Sequence, residues 1–170
     1  MTSYVALLRA VNLGGTNKLP MADLARLCRE AGLEKVRTYI ASGNVVFESG
    51  LTEAEVKSAI ETRLAAYAGK PIPVLVRTGA EMAAVARDNP FPDDPPNWTV
   101  AIFLDEPPPV DALERATHVE NEKIALGKRE IYVAYGAGMA RSKLRIPAAA
   151  NGTARNMNSV RKVAELASAI

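Results

Sequence analysis

The stretch Val36-Arg-Thr-Tyr-Ile-Ala-Ser-Gly-Asn-Val-Val-Phe-Glu48 decides the fold. Two short runs rich in β-branched and aromatic residues, 36–40 and 44–48, flank Ala41-Ser42-Gly43. Small turn-forming residues between two such runs predict a hairpin. Upstream, the apolar run 3–9 reads as a central strand, and the segment 11–18 carries Asn12, Gly14, Gly15 and Asn17, which favour turns. Met21, Leu24, Leu27, Cys28 and Ala31 then recur at helical spacing, with Pro20 suited to a first helical position and Gly32 to the C′ position. Downstream, Thr52 and Glu55 form a capping box ahead of Val56, Ile60, Leu64 and Tyr67, and Gly69 ends that helix. A strand follows at 72–77. The order β-α-β-β-α-β within 77 residues is the split βαβ, or ferredoxin-like, plan.

The second half echoes this order. Thr78 and Glu81 open a helix that Asn89-Pro90 stops. The spacing predicts a strand at 98–104, a helix at 110–117, and strands at 123–126 and 130–135 around Gly127-Lys128. A short helix at 139–144, a brief strand at 153–156 and a C-terminal helix at 158–170 complete the chain. The expected fold class is α+β. It comprises two ferredoxin-like subdomains with antiparallel sheets and extra helices, residues 1–78 and 79–170.

The 170 residues are 48% hydrophobic and 24% charged, which excludes a disordered or low-complexity chain. No apolar run is long enough to cross a bilayer, and no leader pattern opens the chain, so a cytoplasmic protein without a membrane partner is expected. One cysteine and one histidine argue against a disulfide framework, a zinc site or any other metal centre. No cofactor is expected. The net charge of +2 divides into +3 for residues 1–78, −6 for 79–130 and +5 for 131–170. Folding can join the two basic parts into an anion-attracting face, or the acidic segment can compensate them.

Several catalytic motifs fail. Gly127-Lys128 lacks the Ser/Thr and the first glycine of a P-loop, since Arg129 and Glu122 stand there. Gly14-Gly15 lacks dinucleotide spacing, and no nucleophile elbow occurs. His118 reads as solvated, Cys28 as core, and Asp93-Asp94 and Asp105-Glu106 as surface loops without ligand spacing.

Three polar groups remain as candidates. In the first, Arg9 closes a strand, and Asn12, Gly14, Gly15, Asn17 and Lys18 fill the loop before a helix start, beside Arg37, Ser42 and Asn44 of the hairpin. Glycines admit close backbone approach, and helix starts offer free N–H groups. The second is Arg141, Ser142 and Lys143, with Arg145 a helical turn beyond Arg141. The third is Arg155 and Asn156, where cations at a helix start oppose its dipole unless an anion or a carboxylate relieves them. These groups are expected to converge on one anion-binding face.

The motif Ala6-Leu-Leu-Arg-Ala-Val-Asn-Leu-Gly-Gly-Thr-Asn-Lys-Leu-Pro-Met21, followed by Arg37-Thr-Tyr-Ile-Ala-Ser-Gly-Asn-Val-Val-Phe47, resembles the bacterial family called domain of unknown function 1697. Asn89-Pro-Phe91, Arg141-Ser-Lys-Leu144 and Thr153-Ala-Arg-Asn-Met-Asn158 fit the same pattern, and the likeness spans essentially the whole chain. Met157 stands where family members typically carry Trp, and the stretch between Leu144 and Thr153 is short. The resemblance implies two ferredoxin-like subdomains and carries no catalytic residue, cofactor or substrate.

The expected function is binding of an anionic or phosphate-bearing ligand, with nucleotides and nucleic acid among the candidates. One alternative is an enzyme acting on an anionic metabolite, with Glu48, Lys18 or Lys143 as its base. The other is a protein-interaction module. Fold analogy does not choose among them, and oligomeric state is not legible.

Overall fold

The computed structural model describes residues 1–12, 18–136 and 138–170. They fall into two compact units, residues 1–83 with 162–170, and residues 84–161.

The first unit runs β1 (Thr2–Leu8), α1 (Met21–Glu30), β2 (Glu34–Tyr39), β3 (Asn44–Ser49), α2 (Glu53–Ala68) and β4 (Val74–Thr78). Its sheet has the order β2-β3-β1-β4 with every pairing antiparallel. This is the split βαβ arrangement expected from the hairpin outward. Both helices cover one face of the sheet. Tyr4, Ala6 and Leu8 of β1, Val45 and Phe47 of β3, and Val74 and Val76 of β4 pack there with Leu24, Cys28, Val56, Ile60 and Leu64. Tyr4 and Phe47 stack with ring centroids 5.8 Å apart. Each large apolar side chain buried this way contributes about 1.5–3 kcal/mol.

Local chemistry sets the helix ends. Thr52 accepts from Glu55 N–H while the Glu55 carboxylate accepts from Thr52 N–H, closing the capping box. Gly69 ends α2 in the left-handed region. α1 ends in a Schellman turn, in which Leu33 N–H donates to Cys28 O around Gly32. The end of α4 (Met157–Ala169) belongs to this unit too. A Cβ built on Gly79 would lie 3.3 Å from Ala167 and 3.5 Å from Ser3.

The second unit holds β5 (Thr99–Phe103), β6 (Lys123–Leu126), β7 (Glu130–Ala134) and β8 (Thr153–Asn156) in the order β6-β7-β5-β8. The strand order of the first unit therefore repeats. α3 (Gly79–Arg87) starts from the expected reciprocal cap of Thr78 and Glu81 and ends within this unit. Val100, Ile102, Ile131 and Val133 form a core on one face. Met157, the first residue of α4, is completely buried, so an apolar side chain suffices at that position.

Two expected helices are absent. Residues 110–115 form turns, since a segment this short cannot offset helix nucleation and only Ala112 of it is buried. Residues 139–144 are a turn running into an extended segment that precedes a short 3-10 turn, Pro147–Ala149. The apolar residues Leu144 and Ile146 there alternate with cations and pack on the sheet, a period of two rather than 3.6. No helix among the described residues is long and apolar enough to cross a membrane.

Candidate functional site

The antiparallel order of the first unit sends three connections to one end of its sheet. They are the loop from β1 to α1 (9–20), the hairpin tip (40–43) and the loop from α2 to β4 (69–73). These loops contain Arg9, Lys18 and Lys70 and no carboxylate. Backbone hydrogen bonds tie them together. Leu8 N–H donates to Gly43 O at 2.8 Å, and Arg9 N–H donates to Pro73 O at 3.0 Å.

Asn12 organises this end. Its φ of 55° places it in the left-handed region that Asn tolerates. Nδ2 donates to Ala41 O at 2.7 Å and to Leu19 O at 3.0 Å, and Oδ1 accepts from Leu19 N–H at 2.8 Å. The side chain thus clasps both ends of the 12–19 loop to the hairpin tip, which fixes where Lys18 stands. Asn44 does similar work in the hairpin. It is fully buried and donates to Tyr39 O at 2.8 Å and Ser42 Oγ at 3.0 Å. Gly43, at φ +88°, meets the end of β1 so closely that a Cβ would lie 2.8 Å from Val11 and 2.9 Å from Leu8. Gly14, Gly15 and Asn17 lie outside the described residues. Arg37 is exposed, on the sheet face turned away from α1 and α2, in the cross-strand row Arg37–Val46–Val5–Arg77.

A cavity of about 350 Å³ opens at this end, lined by Lys18, Leu19, Tyr67, Ala68, Lys70 and Ile72. Lys18 and Lys70 are exposed, and among the described residues neither forms an ion pair. Tyr67 donates its hydroxyl proton to Asp23 Oδ2 at 2.8 Å, which raises the tyrosine pKa and sets one carboxylate near the cavity. α1 starts beside the cavity from Pro20, which gives no side-chain cap. Such a helix start offers N–H donors and positive potential. Lys70 and Tyr67 escape a reading of motifs along the chain. Only the strand order, which sends the α2–β4 loop to the same end as the β1–α1 loop, reveals them. A larger groove of about 510 Å³ crosses the outer faces of α1 and α2, but its Arg26 and Arg63 already face Glu30 at 2.8 and 3.8 Å.

Of the candidate bases, Lys18 lines the cavity and Glu48 does not. Glu48 pairs with Lys35 at 3.2 Å and lies toward the opposite end of the sheet, opposite Ser3 and Glu34. Cys28 is buried, and desolvation pushes its thiol up to about 12. His118 is exposed. Asp94 is held by Lys123 at 2.7 Å, and no metal-holding group of three ligands occurs among the described residues.

In the second unit, Arg141, Lys143 and Arg145 are exposed while Ser142, Leu144 and Ile146 are half-buried. All three cations therefore share one side, whereas a helix would have separated Lys143 from the other two. Ser142 donates to Glu122 Oε1 at 2.9 Å. Arg155 immediately precedes the Asn156 cap of α4. It lies on β8, 7% exposed, and donates to Thr153 Oγ1 at 2.8 Å and Ala154 O at 3.0 Å. Burial lowers its pKa to about 10. Asn156 caps α4, accepting from Ser159 N–H at 2.9 Å.

The chain matches the family described as "Protein of unknown function (DUF1697)" over residues 1–132. No curated protein matches it. Among solved structures, a conserved bacterial protein from Streptococcus pneumoniae is similar over 98% of this chain and 98% of its own. The TM-score is 0.79 at 25% identity.

Proposed function

The chain belongs to the family of unknown function that its first 132 residues match, and we propose that it binds a small phosphate-bearing anion at the basic end of its first unit. One observation carries the reading: two ammonium groups without an ion-pair partner among the described residues, Lys18 and Lys70, line one cavity of about 350 Å³. That volume suits a small ligand. The loops around it bring no carboxylate. An anion there meets the lysines as point charges and the start of α1 as a set of N–H donors. Asn12 supports the reading as the residue that positions Lys18, not as a ligand contact.

The test is thermal unfolding of the full chain with inorganic phosphate, pyrophosphate and a nucleoside monophosphate. A ligand at ~100 times its Kd adds ~2.7 kcal/mol, a shift of roughly 5–10 °C for a chain of this size. The double variant Lys18→Gln, Lys70→Gln is expected to keep its own unfolding temperature and lose that shift. No shift with any of the three anions, or the same shift in the variant, overturns the reading.

A further inference from the structure

We propose that the extended segment carrying Arg141, Lys143 and Arg145 binds the phosphodiester backbone of single-stranded nucleic acid. This site lies in the second unit and is independent of the cavity beside Lys18. Three observations carry it.

The first is periodicity. Exposure alternates from Arg141 to Ile146, and Leu144 and Ile146 both pack on the sheet core. Lys143 and Arg145, two residues apart on the extended stretch, stand about 6.5 Å apart, and Arg141, also exposed, precedes them from the turn that Ser142 N–H closes on Met139 O. The spacing of that pair is close to the spacing of phosphates along an extended single strand. A compact anion would engage one or two of these groups, whereas a linear polyanion can engage all three.

The second is the absence of internal neutralisation. Residues 139–150 contain three cations and no acid. Among the described residues, none of Arg141, Lys143 and Arg145 forms an ion pair. The nearby Glu122 carboxylate is engaged by Ser142 and by Glu120 N–H.

The third is rigidity with an aromatic neighbour. Arg145 and Thr117 exchange two backbone hydrogen bonds, of 2.9 and 3.0 Å, so the row is fixed at that end. His118 follows Thr117 directly and is exposed. The backbone of His118 thus adjoins the Arg145 end of the row, and a cationic track joined to an exposed aromatic residue is the combination that holds single strands, because phosphates meet the charges and a base can stack. A duplex, with its bases stacked inside, would leave His118 unused.

The experiment is fluorescence anisotropy of the full chain with a labelled oligo(dT) of about 20 nucleotides. Three phosphate contacts predict a log–log salt slope of about −2, or roughly 20-fold weaker binding between about 50 and 200 mM salt. The triple variant Arg141→Gln, Lys143→Gln, Arg145→Gln is expected to lose at least tenfold in affinity and most of that slope. A control removing equal charge elsewhere, Arg26→Gln, Arg63→Gln, Arg87→Gln, is expected to bind as the natural chain does. His118→Ala is expected to weaken oligo(dT) binding several-fold and to leave binding of inorganic polyphosphate unchanged. The proposal is overturned by absent binding at low salt, by equal losses in the control, or by a duplex of the same length binding as tightly. It is also overturned if His118→Ala leaves oligo(dT) binding intact, since the row would then read charge alone. The double variant at Lys18 and Lys70 is expected to bind oligo(dT) normally, so failure at one site is distinguishable from failure at the other.

Discussion

Arg77 and Arg155 occupy the same position in the two units. Arg77 is next to last in β4 and sits opposite Val5 of β1, and Arg155 is next to last in β8 and sits opposite Ala101 of β5. Both are buried, at 1% and 7% exposure. Each guanidinium turns back and donates to the carbonyl of the preceding residue, Val76 or Ala154, at 3.0 Å. The following residue in each, Thr78 or Asn156, caps a helix. Strand order, register and side-chain geometry thus repeat together, although the two segments share little beyond the arginine itself.

A buried arginine keeps its charge to higher pH than a buried lysine does. Burial lowers Arg155 to about 10, still well above neutrality. Burial acts on Arg155→Lys in the same direction, so its folded-state pKa falls below the about 10.4 of the unfolded chain. Between those values the unfolded chain holds the proton and the folded chain does not, so stability rises with pH. Urea unfolding of the variant is therefore expected to show stability climbing with pH up to about 10, while the natural chain shows no contribution from this position below about pH 10. A flat difference between the two across that range would contradict the assigned burial effect.

Gly43 is required twice over, by its φ of +88° and by the Leu8 and Val11 side chains within 3 Å of any added Cβ. Gly43→Ala is expected to cost about 2–4 kcal/mol, read as a lower urea midpoint at unchanged slope. Gly69 has a comparable φ of +74° but open space around it. Gly69→Ala is expected to cost only about 1 kcal/mol. Equal costs would mean that backbone conformation alone matters at position 43.

Asn12→Ala removes two donors and one acceptor from backbone partners at Leu19 and Ala41. The expected loss is about 2–3 kcal/mol, with faster proteolytic cleavage within residues 9–20. Asn12→Asp keeps the acceptor for Leu19 N–H but sets a carboxylate against two carbonyl oxygens, and is expected to be no more stable than the alanine variant. If the phosphate-induced thermal shift survives Asn12→Ala undiminished, Lys18 does not depend on this clasp.

Cys28 is expected to resist thiol reagents in the folded chain. Its thiol is buried and raised to about 12, so at pH 8 only about one molecule in 10⁴ carries the thiolate. Labelling at pH 8 should proceed at the rate of local or global opening and accelerate with urea. Labelling at the rate of a free thiol would place Cys28 outside the core.

The first unit was legible because its signals are local and mutually consistent. The capping box at Thr52, the glycine after α1 and the hairpin around Ser42-Gly43 each act within a few residues. The second unit was legible in its strands and not in its connections. The sequence Arg141-Ser-Lys-Leu-Arg-Ile146 alternates polar and apolar residues, a strand signal that the helical reading passed over. Residues 110–117 have helical composition but bury too little to hold a helix. Of the candidate residues, Lys18 and Arg141 could be read from charge alone. The roles of Asn12 and Asn44 as backbone clasps could not, because their partners lie elsewhere in the chain or depend on how the loop closes.

Sequence by itself determined the α+β class, the strand and helix periods, the family resemblance and the uneven spread of charge. These depend on side-chain pattern and composition over short windows. Tertiary structure alone decided that Lys70 joins Lys18 at one cavity, that Arg141, Lys143 and Arg145 share one exposed side, and that Arg77 and Arg155 are buried counterparts. Such placements follow from strand order and register, which are set by pairing between segments far apart in the chain.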